Sequence, residues 1–306
     1  MGFLGTLIET FELIVLSFFY SIEALFRLVV PQRRKSVANE TVLITGAGSG
    51  IGRLLSLEFA RLKVTLVLWD INEEGNEETA QMAREQGSPR VHVYHCDCGR
   101  SEEVARVAAL VKKEVGDVTM LVNNAGIVIG KNFIDTSEAE MQKVMDVNIM
   151  AHFWTYKAFL PAMIARNHGH LVSIASAAGY VTISGLADYC GSKFAAVGFA
   201  ESVALEMIAM KKDGVKTTIV CPAFINTGMF DGCKPQSKMF PILDEMFVVK
   251  RIMNAVLRNQ PIIMIPRFTY FLVYLRSWMP HKVLILLAHY TRLFDVMKTF
   301  VGRKNN

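Results

Sequence analysis

The chain has 306 residues, of which 52 % are hydrophobic and 20 % charged, with a net charge of +5. That length supports one α/β domain with a substantial core. The mild, dispersed positive charge, with no basic helix interleaved with stacking aromatics, excludes a nucleic-acid partner. Five cysteines, an odd number without a spacing framework, exclude a disulfide scaffold and fit reduced thiols in a cytosolic environment.

Phe3 to Val30 is apolar, interrupted by Glu9, Glu12, Glu23 and Arg27. At about 100° per residue these four share one sector of a helix with Thr6 and Tyr20. The longest uncharged run, Leu13 to Ile22, is shorter than the roughly 20 apolar residues that a spanning helix takes. The pattern therefore predicts a helix lying in a membrane interface. A spanning anchor and a helix packed on the protein's own surface are the alternatives. No cation precedes the run, so a cleaved signal peptide is not expected. Arg33, Arg34 and Lys35 follow it, which by the positive-inside tendency places the rest of the chain in the cytosol. The sequon at Asn39 is accordingly expected to stay bare.

Thr41 to Thr45 predicts the first strand, and a helix follows through Leu62. Between them stand Gly46, Ala47, Gly48, Ser49, Gly50, Ile51 and Gly52. A strand, a glycine turn and a helix N-terminus form a site for a pyrophosphate, with backbone N–H groups aimed at it. Val64 to Trp69 predicts a second strand ending at Asp70. A carboxylate about 20 residues after the glycines suits the adenosine ribose and repels a 2′-phosphate. Ile71 and Ser49 supply no cation for such a phosphate, although Arg53 lies just past the turn. NAD is thus favoured over NADP. Asp70 would also suit a helix N-cap. Val91 to Tyr94 predicts a third strand before Asp97. Val118 to Val122 predicts a fourth before Asn123, Asn124, Ala125 and Gly126. Cys96 and Cys98 flank Asp97, but no second ligand cluster accompanies them, and a metal is not expected.

Glu138 to Arg166 and Asp188 to Lys212 read as long helices. His168 and His170, near a strand start, read as turn residues. Tyr189 and Lys193 stand four residues apart on one face of the second helix, with Ser176 13 positions before Tyr189. A free tyrosine has a pKa of about 10. A neighbouring ammonium lowers it toward useful acid–base chemistry, and a serine hydroxyl beside the phenol can bind an alcohol or carbonyl oxygen. Phe224 to Phe247 offers Phe224, Ile225, Met229, Phe230, Met239, Phe240, Ile242, Leu243, Met246 and Phe247, an adaptable greasy lining for a lipophilic alcohol. After a last strand, Ile262 to Ile265, the chain turns apolar and aromatic from Phe268 to Trp278 and again from Val283 to Ala288, punctuated by Arg267, Arg276, Lys282 and Arg292. A lid with dimer packing and a membrane contact fit this tail equally.

The glycine turn, Asp70, Asp97, Asn123 to Gly126, Asn148, Ser176, Tyr189 and Lys193 occur in the order found in the short-chain dehydrogenases/reductases, and the chain resembles that family over about Thr41 to Pro266. Within it, the stretches 66–72, 154–161 and 217–222 resemble the membrane-associated subgroup of epidermal retinol dehydrogenases and lipid-droplet 17-beta-hydroxysteroid dehydrogenases. The resemblance implies that Tyr189 is the general acid/base, that Lys193 lowers its pKa and binds the nicotinamide ribose, and that Ser176 polarises the substrate oxygen. Asn148 would hold a water linking Lys193 to solvent. Thr45, Gly46, Ser49, Gly50, Ile51 and Gly52 would surround the cofactor phosphates, Asp70 the ribose and Asp97 the adenine. Asn124, Ala125, Gly126, Pro222 and Thr227 would line the cofactor cleft. Ala223 departs from the glycine common after that proline.

The alternation of strands and helices predicts an α/β fold, a single Rossmann-type doubly wound parallel sheet with helices on both faces, plus the N-terminal membrane-associating helix. The expected parts are a membrane-associating segment 1–35, a catalytic domain 36–266 and an apolar, basic extension 267–306. The expected activity is NAD-dependent oxidation of a lipophilic alcohol, all-trans-retinol first, with a 17-beta-hydroxysteroid as alternative substrate. A non-catalytic lipid-surface protein that keeps the fold is the alternative of another class. The resemblance further implies a homodimer at the endoplasmic reticulum membrane or a lipid droplet, with the catalytic domain facing the cytosol.

Overall fold

The computed structural model describes residues 3–233 and 241–302. Its contacts divide the chain into two units, Met1–Lys35 and Ser36–Asn306. The first is a single helix, α1 (Phe3–Val29), whose apolar side chains are exposed within that unit. By length and composition Leu4–Arg27 is able to cross a membrane.

In the second unit seven strands form one sheet: β1 (Thr41–Thr45), β2 (Thr65–Asp70), β3 (Arg90–His95), β4 (Met120–Asn123), β5 (Gly169–Ile174), β6 (Val215–Pro222) and β7 (Ile262–Ile265). The order is β3-β2-β1-β4-β5-β6-β7 and every pairing is parallel. The helices between them are α2 (Gly50–Arg61), α3 (Glu73–Glu85), α4 (Ser101–Glu114), α5 (Glu138–Met145), α6 (Ala151–Arg166), α7 (Ala187–Ala209) and α8 (Glu245–Val256), followed by α9 (Phe268–Trp278) and α10 (His281–Tyr290).

Strand periodicity sorts the core. Val42, Ile44, Leu66 and Leu68 join α2, α3 and α8 on one face of the sheet. The alternate residues Leu43, Val67 and Trp69 join α4 and α6 on the other. Helices thus cover both faces, and the central strands β1, β4 and β5 are buried almost throughout, while the edge strand β3 is only partly covered. Leu243 and Met246, expected in a substrate lining, belong to the first of these cores. His168 lies in the turn before β5, 3.0 Å from Glu40, whereas His170 is inside β5, bonded to Thr218 at 2.9 Å. All five cysteines are free and buried.

The expected helix from Glu138 to Arg166 is interrupted by a π turn at Asp146–Met150. It accompanies a buried polar side chain with distant partners. Asn148 is fully buried, its Oδ1 accepts the Ile127 N–H at 2.8 Å, and its Nδ2 donates to the Ile127 carbonyl and to Ser192 Oγ. Such turns interrupt helices where a side chain needs a different direction, often at functional sites.

Candidate active site

A cleft of about 1160 Å³ runs along the C-terminal ends of the strands and crosses the boundary between β1 and β4, where the strand order reverses direction. This is where open α/β sheets bind ligands. Gly46, Ser49, Gly50, Ile51, Asp70, Asp97, Asn124, Ala125, Gly126, Ser176, Tyr189, Lys193, Pro222 and Thr227 all line it.

Three expected site residues stand behind its wall. Thr45 is buried and its hydroxyl accepts the N–H groups of Asn124 and Ala125 at 3.0 and 3.1 Å. Gly52 lets α2 rest on the turn, since a Cβ there would run into the Gly46 carbonyl. Asn148 braces Ile127 and Ser192 as described. These residues shape the cleft without facing it.

The glycine turn is built for close approach. Gly46 adopts a φ of +66°, and a Cβ on it would lie 2.9 Å from the Ala125 backbone. Ser49, the N-cap of α2, makes no side-chain cap bond to the first-turn N–H groups beside the cleft. Asp70 Oδ2 accepts the Gly48 N–H at 2.7 Å and Oδ1 accepts the Asn72 N–H at 2.9 Å. The N-cap of α3 is Asn72 rather than Asp70. Asp70 therefore presents its carboxylate to the cleft. Arg53 turns away. Its guanidinium bonds the Gly48 and Gly75 carbonyls and Thr79, and pairs with Glu78 at 2.6 Å.

At the deep end, Tyr189 and Lys193 are both buried on α7. Lys193 Nζ donates to the Ile174 carbonyl at 3.0 Å and lies 5.6 Å from the centre of the Tyr189 ring. Ser176 accepts the Ala178 N–H and donates to the Pro222 carbonyl at 3.3 Å. Burial pushes the Tyr189 phenol up to about 12, against a downward pull from the Ser176 hydroxyl. Burial likewise brings Lys193 down to about 8. The expected depression of the tyrosine by the lysine is not seen: desolvation disfavours both charged forms.

Phe224, Ile225, Met229 and Phe230, expected in the substrate lining, line the cleft beside Tyr189, with the Phe230 ring edge-on to Tyr189 at 5.8 Å. Ile242 and Phe247 are exposed instead, and Met239 and Phe240 lie outside the described residues. Sequence reasoning expected the tail as a lid but did not single out four contributors. Ser192, fully buried, joins Asn148 to the Tyr189 carbonyl through a 2.7 Å bond; a small polar residue one turn past Tyr189 was the available signal. Thr269 and Leu272 of α9 and Leu293 beyond α10 also enter the cleft. Val296 and Met297 pack in the same cluster as Tyr189 and Phe224, so the C-terminal segment walls the site.

The short chain dehydrogenase family profile matches residues 40–238. The chain is 57 % identical over 284 residues to epidermal retinol dehydrogenase 2 of Mus musculus, a match covering 92 % of each chain. It is 47 % identical over 281 residues to estradiol 17-beta-dehydrogenase 11 of Homo sapiens, covering 92 % of this chain and 93 % of that one. A short chain dehydrogenase/reductase from Burkholderia phymatum, crystallised in complex with NAD, superposes with a TM-score of 0.72 at 25 % identity, over 82 % of this chain and 96 % of the other. The chain therefore belongs to the short chain dehydrogenase family, as an alcohol dehydrogenase that works with a nicotinamide cofactor.

Proposed function

We propose that the protein oxidises a lipophilic alcohol with NAD, and that all-trans-retinol, giving all-trans-retinal, is its substrate. The observation that carries this reading is the buried Tyr189, Lys193 and Ser176 group beneath a substrate end of Phe224, Ile225, Met229 and Phe230. The 57 % identity to epidermal retinol dehydrogenase 2 supports the retinoid. The 47 % identity to estradiol 17-beta-dehydrogenase 11 supports a 17-beta-hydroxysteroid as the second reading.

The residues fit a dinucleotide. The Gly46 cradle would close if it carried a Cβ, and the start of α2 offers N–H groups to phosphate. Asp70 would hold the adenosine ribose, Asp97 the adenine side, and Thr227 the nicotinamide end. NAD is preferred because a 2′-phosphate would meet the Asp70 carboxylate, while Arg53 is spent on Glu78 and the carbonyls behind the turn. When bound, a nicotinamide cofactor would supply the acceptor for the hydride of the carbinol carbon. The hydroxyl proton goes to the Tyr189 oxygen, leaving the carbonyl product. The Ser176 O–H, held by one 3.3 Å bond to Pro222, turns to the substrate oxygen and orients it. Lys193, kept in place by the Ile174 carbonyl, supplies positive charge beside the phenol as the proton moves. Asn148 sets the floor through Ile127 and Ser192 and stands beside the proposed water path from Lys193.

α1 is the proposed membrane-associating segment, lying in the interface with the catalytic unit on the cytosolic side of the endoplasmic reticulum or a lipid droplet. A homodimer is proposed through α6 and α7, where Phe153, Phe194, Leu205 and Ile208 are exposed. Turnover of retinol, estradiol and a long-chain alcohol by membrane-reconstituted protein, each with NAD and NADP, tests the reading. Retinol with NAD is expected to be the fastest pair. Turnover of estradiol alone would replace the substrate, and preference for NADP would refute the role given to Asp70.

A further inference from the structure

We propose that the outer faces of α9 and α10 form a docking surface for an anionic lipid layer, beside the substrate end of the cleft. This rests on the lipophilic-alcohol reading for its purpose, though not for its test. α9 is two-faced. Inward, Thr269 and Leu272 line the cleft, Val273 packs on the core beneath α7, and Arg276 donates to the Tyr180 carbonyl while lying 5.8 Å over the Phe194 ring. Outward, Phe268, Phe271, Tyr274 and Trp278 recur at helical spacing and are exposed, Trp278 at 75 %. Their rings meet in pairs, Phe268 with Phe271 at 5.7 Å and Tyr274 with Trp278 at 6.0 Å, making an aromatic stripe. α10 has no buried residue, and Val283, Leu286 and Tyr290 extend an apolar face along it.

Exposed apolar surface concentrated in this way marks an interaction site. The charge around it selects the occupant. From Arg267 to Gly302 the sequence carries five Lys and Arg residues against one acidic residue, Asp295. A second copy meeting this face across a two-fold axis would bring like charges together. An anionic lipid layer answers the charge, and tyrosine and tryptophan suit the headgroup level, with apolar rings below and polar atoms above. The position supplies a use. Leu272 on α9 and Leu293 just after α10 both enter the cleft, so a lipophilic alcohol held in the layer reaches the site along the helices that touch it.

Full-length protein in phosphatidylcholine–phosphatidylserine vesicles with brominated acyl chains tests this. Trp69 is buried, and the emission of Trp278 is isolated as the difference between wild type and Trp278→Phe. The proposal expects bromolipid to quench most of that difference signal and aqueous iodide to leave it nearly untouched. Quenching should fall in phosphatidylcholine alone and in the Arg267→Glu/Lys282→Glu variant. Quenching by iodide with none by bromolipid would place the stripe in water and overturn the proposal. Protection from both quenchers would show a protein-covered face and overturn it equally. Bromolipid quenching that is indifferent to phosphatidylserine would overturn the anionic part. No substrate enters the measurement, so its failure is separate from any failure of the retinol reading.

Discussion

Burial sets the acid–base character of the two central side chains. Tyr189 stands at about 12 and Lys193 at about 8, so at neutral pH the phenol holds its proton and the ammonium mostly keeps its charge. Oxidation needs the phenolate as base, and a raised pKa means less of it at pH 7. The kcat/KM for alcohol oxidation should therefore climb as the pH rises from about 7, by at most about tenfold per unit. The climb should flatten above about 8, where Lys193 gives up its charge. Reduction of the aldehyde uses the protonated phenol and should stay level across the neutral range. Profiles in both directions check this; an oxidation rate that falls between pH 7 and 8 would contradict it. The residues themselves were legible, because a Tyr and a Lys at helical spacing after a serine form a pattern. The direction of the tyrosine shift was not, because it depends on how completely the folded chain dries the pair.

Among the elements, the strands were the most legible, since short β-branched runs ending in Gly, Asp or Asn can be placed from composition alone. Two features escaped. The π turn at Asp146–Met150 has no periodicity of its own; it accompanies the bonds of the Asn148 amide to Ile127 and Ser192, contacts 21 and 44 residues distant. The tail was expected as a lid or a membrane contact, but which of its residues reach the cleft also escaped, because an amphipathic helix does not declare which surface it will cover. Leu243 and Met246 went to the core for the same reason. Asn148→Ala leaves the Ile127 N–H and carbonyl without their side-chain partner and takes from Ser192 Oγ the bond it accepts, while its bond to the Tyr189 carbonyl stays. Unfolding followed by circular dichroism should show a loss of about 2–4 kcal/mol, lowering the melting temperature by several degrees. An unchanged melting temperature would mean that the turn stands without its amide.

At the scale of the molecule, α1 and the catalytic unit have separate sets of contacts. Deleting residues 1–35 should leave the melting temperature of the remainder within about 2 °C, because surface changes away from a core cost little. Vesicle sedimentation should then show weakened membrane binding with a salt-sensitive remainder, the share assigned to α9 and α10. Aggregation of the shortened chain, with loss of turnover of a water-soluble alcohol, would show that α1 belongs to the fold. The sheet order and the two helix layers place the crevice at the boundary of β1 and β4, where the strand order reverses. The proposed substrate end is its least regular side, lined by side chains from Phe224 to Phe230 and from the C-terminal segment.

The measurement that bears most directly on this account pairs cofactor binding with turnover in Tyr189→Phe. Removing one oxygen from a buried ring should leave NADH affinity, read by fluorescence transfer, near that of the wild type. Retinol oxidation should fall by about 10²–10⁴-fold, the worth of a positioned acid–base group. Unaltered turnover with intact NADH binding would contradict the account, since the proton would then leave by a route that does not pass through Tyr189.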